Sequence, residues 1–145
     1  MSITSADRKF LEMAVHVGRI FSKDPSTKVG AIAVGHTKNL VAWGYNGLPP
    51  GLFDAPERLD DREVKLTLTL HAEENALANA KFAVRTLYVT HHPCTGCVLR
   101  ILSRRSVQRI VYVESPQFEA RWSASLAEAR QLLAEAGVVI EGAVL

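Results

Sequence analysis

The chain has 145 residues, 48% of them hydrophobic and 22% charged, which is the composition of one globular unit long enough to bury a core. Its 17 Lys and Arg against 15 Asp and Glu leave a net charge of +2, too even to mark a nucleic-acid surface, and no stretch nears the roughly 20 apolar residues that cross a bilayer. No basic segment leading into an apolar one opens the chain, so a secretory leader is not expected and a cytoplasmic location is the default.

Phe10, Leu11, Ala14, Val17, Gly18 and Phe21 recur at helical spacing, predicting an amphipathic helix over about 5–22 that Asp24-Pro25 ends. Residues 29–34 and 40–45 are apolar and bounded by the polar turn 36–39, which predicts a β-hairpin. The segment 46–61 carries Gly47, Pro49, Pro50, Gly51 and Pro56, the chemistry of a long loop. Residues 64–70 alternate like a strand but equally suit a turn of helix, and the pattern leaves the choice open.

The alanine-rich run 72–81 favours helix, 86–90 a strand, and Pro93 opens a helix bearing Cys94, Cys97, Val98, Ile101 and Leu102. A strand at 107–113, an amphipathic helix at 120–136 closed by Gly137, and a last strand at 138–140 complete the order α-β-β-α-β-α-β-α-β. Crossover helices make the last three strands parallel. No repeat or linker divides the chain, so one domain over 1–145 is expected. The pair Arg104-Arg105 reads as a solvated helix end.

Chemistry concentrates in two short motifs. His71-Ala72-Glu73 stands at a helix start, and Pro93-Cys94-Thr95-Gly96-Cys97 stands where a strand gives way to another helix. Two cysteines three apart share a helix face, as two ligands of one metal must, and the helix N-terminus stabilises thiolate. Residues at i and i+2 share no face inside a helix, but before the helical rotation is established His71 can reach a metal while Glu73 reaches water beside it. Two thiolates and an imidazole suit zinc, and three protein ligands leave the open fourth position of a catalytic site. Glu73 is then the proton carrier. The bland alternatives are a capping His and a redox CxxC, but a redox pair leaves His71 and Glu73 without a task.

With these residues in hand, the sequence resembles the zinc-dependent cytidine and deoxycytidylate deaminases, whose signature is H-x-E followed by P-C-x-x-C. The stretches SKDPSTKVGA, GYNGLP, HAEENA and TLYVTHHPCTGC are similar to the deoxycytidylate (dCMP) deaminase branch, and the likeness runs over about 10–138. The resemblance implies a cytidine deaminase-like three-layer α/β/α sandwich with a five-stranded mixed sheet. It implies hydrolysis of dCMP to dUMP and ammonia, a step toward dTTP supply, with one zinc per chain on His71, Cys94 and Cys97 and with Glu73 catalytic. It further implies substrate contacts from Asn46, with Lys23 and Lys28 as phosphate candidates. It suggests a homo-oligomer, hexameric in many relatives, with dCTP and dTTP as effectors.

His91-His92 departs from the apolar or small residues that commonly precede Pro-Cys, so His92 is a candidate base or sugar contact, and 5-substituted dCMP stays open as a substrate. Rival readings are a deaminase of tRNA adenosine, guanine or a riboflavin precursor, and a zinc-stabilised module without activity. The even charge argues against a tRNA substrate, and neither nucleic acid nor membrane is an expected partner.

Overall fold

The computed structural model describes residues 2–145. In chain order the elements are α1 (Ser5–Phe21), β1 (Gly30–Val34), β2 (Val41–Tyr45), α2 (Pro56–Asp60), α3 (Arg62–Leu68), α4 (Ala72–Asn79), β3 (Thr86–Val89), α5 (Thr95–Ser103), β4 (Arg109–Val113), α6 (Pro116–Arg121), α7 (Ser123–Glu135) and β5 (Val139–Ala143). One five-stranded sheet has the order β2-β1-β3-β4-β5. Strand β1 is antiparallel to both β2 and β3, whereas β3, β4 and β5 are parallel, as the crossover helices require.

The expected α/β sandwich is present, and alternation along the strands sorts its two cores. Ala31, Ala33, Leu87, Val89 and Ile110 face α4, α5 and α7, while Ile32, Val34, Tyr88 and Val111 face α1. Strand β1 is buried at every residue, which is why it reads as an unbroken apolar run rather than an alternating one. Small residues bring the helices close. A Cβ on Gly30 would stand 1.9 Å from the Ala14 carbonyl oxygen, and one on Gly44 2.3 Å from the Ala76 nitrogen. The second contact fixes the height of α4 over the sheet.

Three departures from the sequence pattern have local causes. The stretch 64–70, open between strand and helix, belongs mostly to α3, whose N-cap Asp61 accepts a hydrogen bond from the Val64 N–H at 3.1 Å. The long loop 46–61 contains the one-turn α2, which Pro56 opens. The helix expected at 120–136 is two helices meeting at Trp122; the first begins at Pro116, and Glu119 accepts from the Ser115 N–H. Arg104 is more than a solvated helix end. Its guanidinium donates to the Leu77 carbonyl at 2.7 Å and so caps the C-terminal turn of α4.

One polar network crosses the α1 face. Asp7, 3% exposed, takes both Arg109 Nη1 (2.8 Å) and Nη2 (2.9 Å), the Tyr88 hydroxyl at 2.8 Å and the Thr4 N–H at 2.8 Å. Arg109 also donates to Glu141 at 3.0 Å. Burial opposes ionisation of Asp7, but the Arg109 guanidinium and the Thr4 N–H outweigh it and hold the carboxyl well below the usual range. The network ties the first turn of α1 to β3, β4 and β5.

Candidate functional site

The loops that precede β1 and follow β2, β3 and β4 all open at one end of the sheet, and between them lies a cavity of about 430 Å³. This is the C-terminal end of the parallel strands, where open α/β sheets receive ligands. His71 is the N-cap residue of α4 and Cys94 that of α5, and neither side chain caps its own helix. Both are therefore free to point elsewhere. His71 Nδ1 lies 3.1 Å from Cys97 Sγ and 3.7 Å from Cys94 Sγ, and the three donor atoms fall within 4.8 Å of one another.

Such separations match the edges of a tetrahedron built on bonds of about 2.0 to 2.3 Å, and two sulfurs with one imidazole nitrogen are a donor set that zinc accepts. The residues fit the metal. Hydrogen bonding from the Cys97 thiol, followed by that of His71, lowers the Cys94 thiol to about 3 despite its burial, while the bond to Cys94 and burial push Cys97 up. The His71 imidazole is raised, first by its hydrogen bond to Cys94.

Glu73, in the first turn of α4, lines the same cavity and is 5% exposed. Burial pushes its carboxyl up to about 7, against the opposing pull of its own N–H and of His71. Among the described residues no Lys, Arg or His forms an ion pair with it. The rest of HAEENA holds α4 in place. Asn75 Oδ1 accepts the Tyr45 N–H at 3.0 Å and, beyond the motif, Asn79 donates to the Trp43 carbonyl at 2.9 Å, so α4 also covers backbone groups of the edge strand β2.

Asn46 lines the cavity, and its amide joins two of the sequence motifs. Its Oδ1 accepts from the Ser22 hydroxyl (2.7 Å) and the Val29 N–H (2.8 Å), and its Nδ2 donates to the Thr27 carbonyl (2.8 Å). One Nδ2 hydrogen has no partner in this set. His92, 3% exposed, also lines the cavity; Nδ1 is 2.9 Å from the Pro93 carbonyl, and Nε2 is buried with no partner.

The two lysines singled out in the sequence lie elsewhere. Lys23 is exposed and paired with Asp54 at 2.6 Å, and Lys28 donates to the Ser22 carbonyl at 2.5 Å beside a second hollow that includes Arg19 and Thr90. Neither lines the main cavity. Its cations among the described residues are Arg62 and Lys65 from α3 and Arg121 from α6. A helical reading of 62–68 puts Arg62, Lys65 and Leu66 on one face, and starting α6 at Pro116 does the same for Phe118, Arg121 and Trp122. That spacing was the available signal, hidden by the open choice at 64–70 and by a helix start placed too late.

Residues 4–114 match the model of the cytidine and deoxycytidylate deaminase zinc-binding region. The chain belongs to that family. An uncharacterized deaminase from the luxG 3′ region of Aliivibrio fischeri is 36% identical over 135 residues, covering 92% of this chain and 90% of that one. A probable deoxycytidylate deaminase of Caenorhabditis elegans is 34% identical over 114 residues, 74% of this chain, which spans 57% of that relative's length. The fold is shared with the apo dCMP deaminase of cyanophage S-TIM5, at TM-score 0.71 and 24% identity over 99% of this chain and 100% of that one. The deaminase is thus a zinc-binding member of the family by sequence, with the His71, Cys94 and Cys97 cluster in place to hold the metal. No helix among its described residues is long and apolar enough to cross a membrane.

Proposed function

We propose that this deaminase is a single-domain deoxycytidylate deaminase that hydrolyses dCMP to dUMP and ammonia. The observation that carries this reading is Glu73, a buried carboxyl at a metal-donor cluster with no ion-pair partner among the described residues, inside a cavity with three cations on its wall. One zinc held by His71, Cys94 and Cys97 would supply Lewis acidity and lower the pKa of a water molecule.

Glu73 carries protons in this scheme. It takes one from the water that adds at C4 of the cytosine and delivers it to N3; it then takes the remaining proton from the new C4 hydroxyl and gives it to the amino group, which leaves as ammonia as the C4 carbonyl forms. A carboxyl at about 7 exists in both forms near neutrality, which suits a group that must accept and then donate. The α4 N-terminus fixes it beside His71, so the proton acceptor and one of the metal donors share one element, and α5 brings the two cysteines to them.

Arg62, Lys65 and Arg121 support an anionic substrate, a nucleotide rather than a free base or nucleoside. The cavity is of the size that small-molecule ligands occupy. In this reading Asn46 offers its remaining N–H to the sugar and His92 meets a substituent on the ring; that both line the cavity supports it. The C. elegans relative's name supports the same substrate.

A homo-oligomer with dCTP and dTTP as effectors in pyrimidine nucleotide metabolism is part of the reading; the exposed, mutually tilted rings of Phe21 and Trp43, with centroids 4.7 Å apart, support association. Sedimentation with and without each effector tests that part. The test of substrate is ammonia release by the metal-quantified protein from dCMP, CMP, 5-methyl-dCMP, deoxycytidine and guanine. The expected result is dCMP or its 5-methyl form ahead of the others with about one zinc per chain, whereas silence on both nucleotides by fully zinc-loaded protein sinks the assignment.

A further inference from the structure

Helices α2 and α3 bury no residue, yet α3 contributes to the wall of the cavity. What holds α3 is polar. Lys65 reaches across to Asp24 Oδ1 at 3.2 Å and to the Ser26 hydroxyl at 2.9 Å, and the chain after α3 is pinned where Gly47 and Leu70 exchange backbone hydrogen bonds of 3.1 and 2.8 Å. The Lys65 side chain is 15% exposed, so its charge has been drawn inward from a surface helix.

Its partner does not need it. Asp24 Oδ1 accepts four donors: the Ser26 N–H at 2.9 Å, the Thr27 N–H at 3.0 Å, the Ser26 hydroxyl at 3.1 Å and Lys65 at 3.2 Å. The first three come from its own turn, and the lysine's is the longest. The three donors of its own turn stay with the carboxylate when the ammonium leaves, so the exchange does not strip Asp24 of hydrogen bonds. Arg62 and Arg121, on the same cavity wall, have no carboxylate at ion-pair distance among the described residues.

We propose that Lys65 is the specificity-determining residue for a phosphorylated substrate and that it works by exchange, its ammonium leaving Asp24 for the substrate phosphate. The inference rests on the nucleotide reading above. In the free protein the Asp24 carboxylate keeps the ammonium in the cavity; on binding, the phosphate replaces that carboxylate as the anion that anchors α3 through Lys65. A nucleoside has nothing to offer Lys65 and leaves the original pair in place.

The test measures kcat/KM for dCMP and for deoxycytidine with the full-length, zinc-loaded wild type and with Lys65→Met, Lys65→Arg and Asp24→Asn. Lys65→Met is expected to cut the preference for dCMP over deoxycytidine roughly 10- to 100-fold, the worth of one charge-assisted hydrogen bond, through KM rather than kcat. Lys65→Arg should restore part of that preference. Asp24→Asn keeps an acceptor for Ser26 and Thr27 but removes the competing charge, so the KM for dCMP should fall.

Equal losses on both substrates, an unchanged preference in Lys65→Met, or a higher KM in Asp24→Asn would each overturn the exchange. If the wild type turns over neither substrate, the reading of function fails on its own. Lys65 is then judged by thermal unfolding with inorganic phosphate at matched ionic strength. A rise in Tm that Lys65→Met abolishes supports the proposal, and an equal or absent response in both proteins refutes it.

Discussion

Asp7 and Glu73 are both carboxyl groups hidden from solvent, at 3% and 5% exposure, and the fold treats their charge in opposite ways. Asp7 meets a bidentate Arg109, a tyrosine hydroxyl and a backbone N–H, and its proton affinity falls. Glu73 meets no cation in an ion pair among the described residues, and burial raises its pKa to about 7. The difference separates two uses of burial. A paired carboxylate fastens elements together, and an unpaired one keeps a proton available at a cost in stability.

The sharpest way to break that comparison is to neutralise Glu73. Glu73→Gln should lower kcat/KM by about 10²- to 10⁴-fold, the usual share of general acid–base catalysis, with folding and zinc content intact. Retention of activity within tenfold would remove the proton-carrier role, and a module without activity would have none to lose. Cys97→Ala should lose the metal and turnover together, read by metal analysis beside the ammonia assay, because it deletes one of only three donors.

At the other carboxylate the effect moves from activity to stability. Asp7→Ala leaves Arg109 without its bidentate partner, and denaturant unfolding should show a loss of about 3 to 5 kcal/mol, while kcat of the folded fraction stays within about twofold. If Glu73→Gln destabilised as much as Asp7→Ala, the division between fastening and function would not hold. Acid gives a gentler version. Because the folded-state pKa of Asp7 lies below its ordinary value near 4, its contribution is complete above about pH 4 and drains away as pH falls further. Asp7→Asn should flatten that acid limb in Tm-against-pH scans.

The smallest expected effect is at Lys23. Its pair with Asp54 is two-thirds exposed on the lysine side, so Lys23→Ala should change stability by less than about 1 kcal/mol and leave the KM for dCMP within about twofold.

The sheet and the helices packed on it were legible because burial imposes period on the chain. Leu11 and Ala14 on α1 declare the face they bury, and the unbroken apolar run Leu87-Tyr88-Val89 declares a strand covered on both sides. His71, Glu73, Cys94 and Cys97 were legible because each begins or nearly begins a helix, where a spacing in sequence becomes a spacing in space. Lys65 was not legible. Its spacing from Arg62 and Leu66 becomes a face only once 62–68 is taken as helix, which the apolar pattern left open, and its partner Asp24 is 41 residues away. Lys23 and Lys28, by contrast, lay inside a motif, and a motif says that a segment is near the cavity, not which way each side chain turns. Asn46 shows the same from the other side, since its hydrogen bonds to Ser22, Thr27 and Val29 are what make the two loop motifs one object.

The backbone bridge between Gly47 and Leu70 brings the two ends of an intervening stretch together at neighbouring points, so everything between them forms a closed excursion from the sheet. Such an excursion can be lengthened, shortened or exchanged with little strain on what lies beneath, because closing a loop depends only weakly on its length. The molecule therefore divides into a fixed chemical floor and a replaceable cassette. A lineage could rewrite which small molecules are admitted by recombining that cassette alone, and a protein engineer could graft one from a relative while leaving the machinery for moving protons untouched.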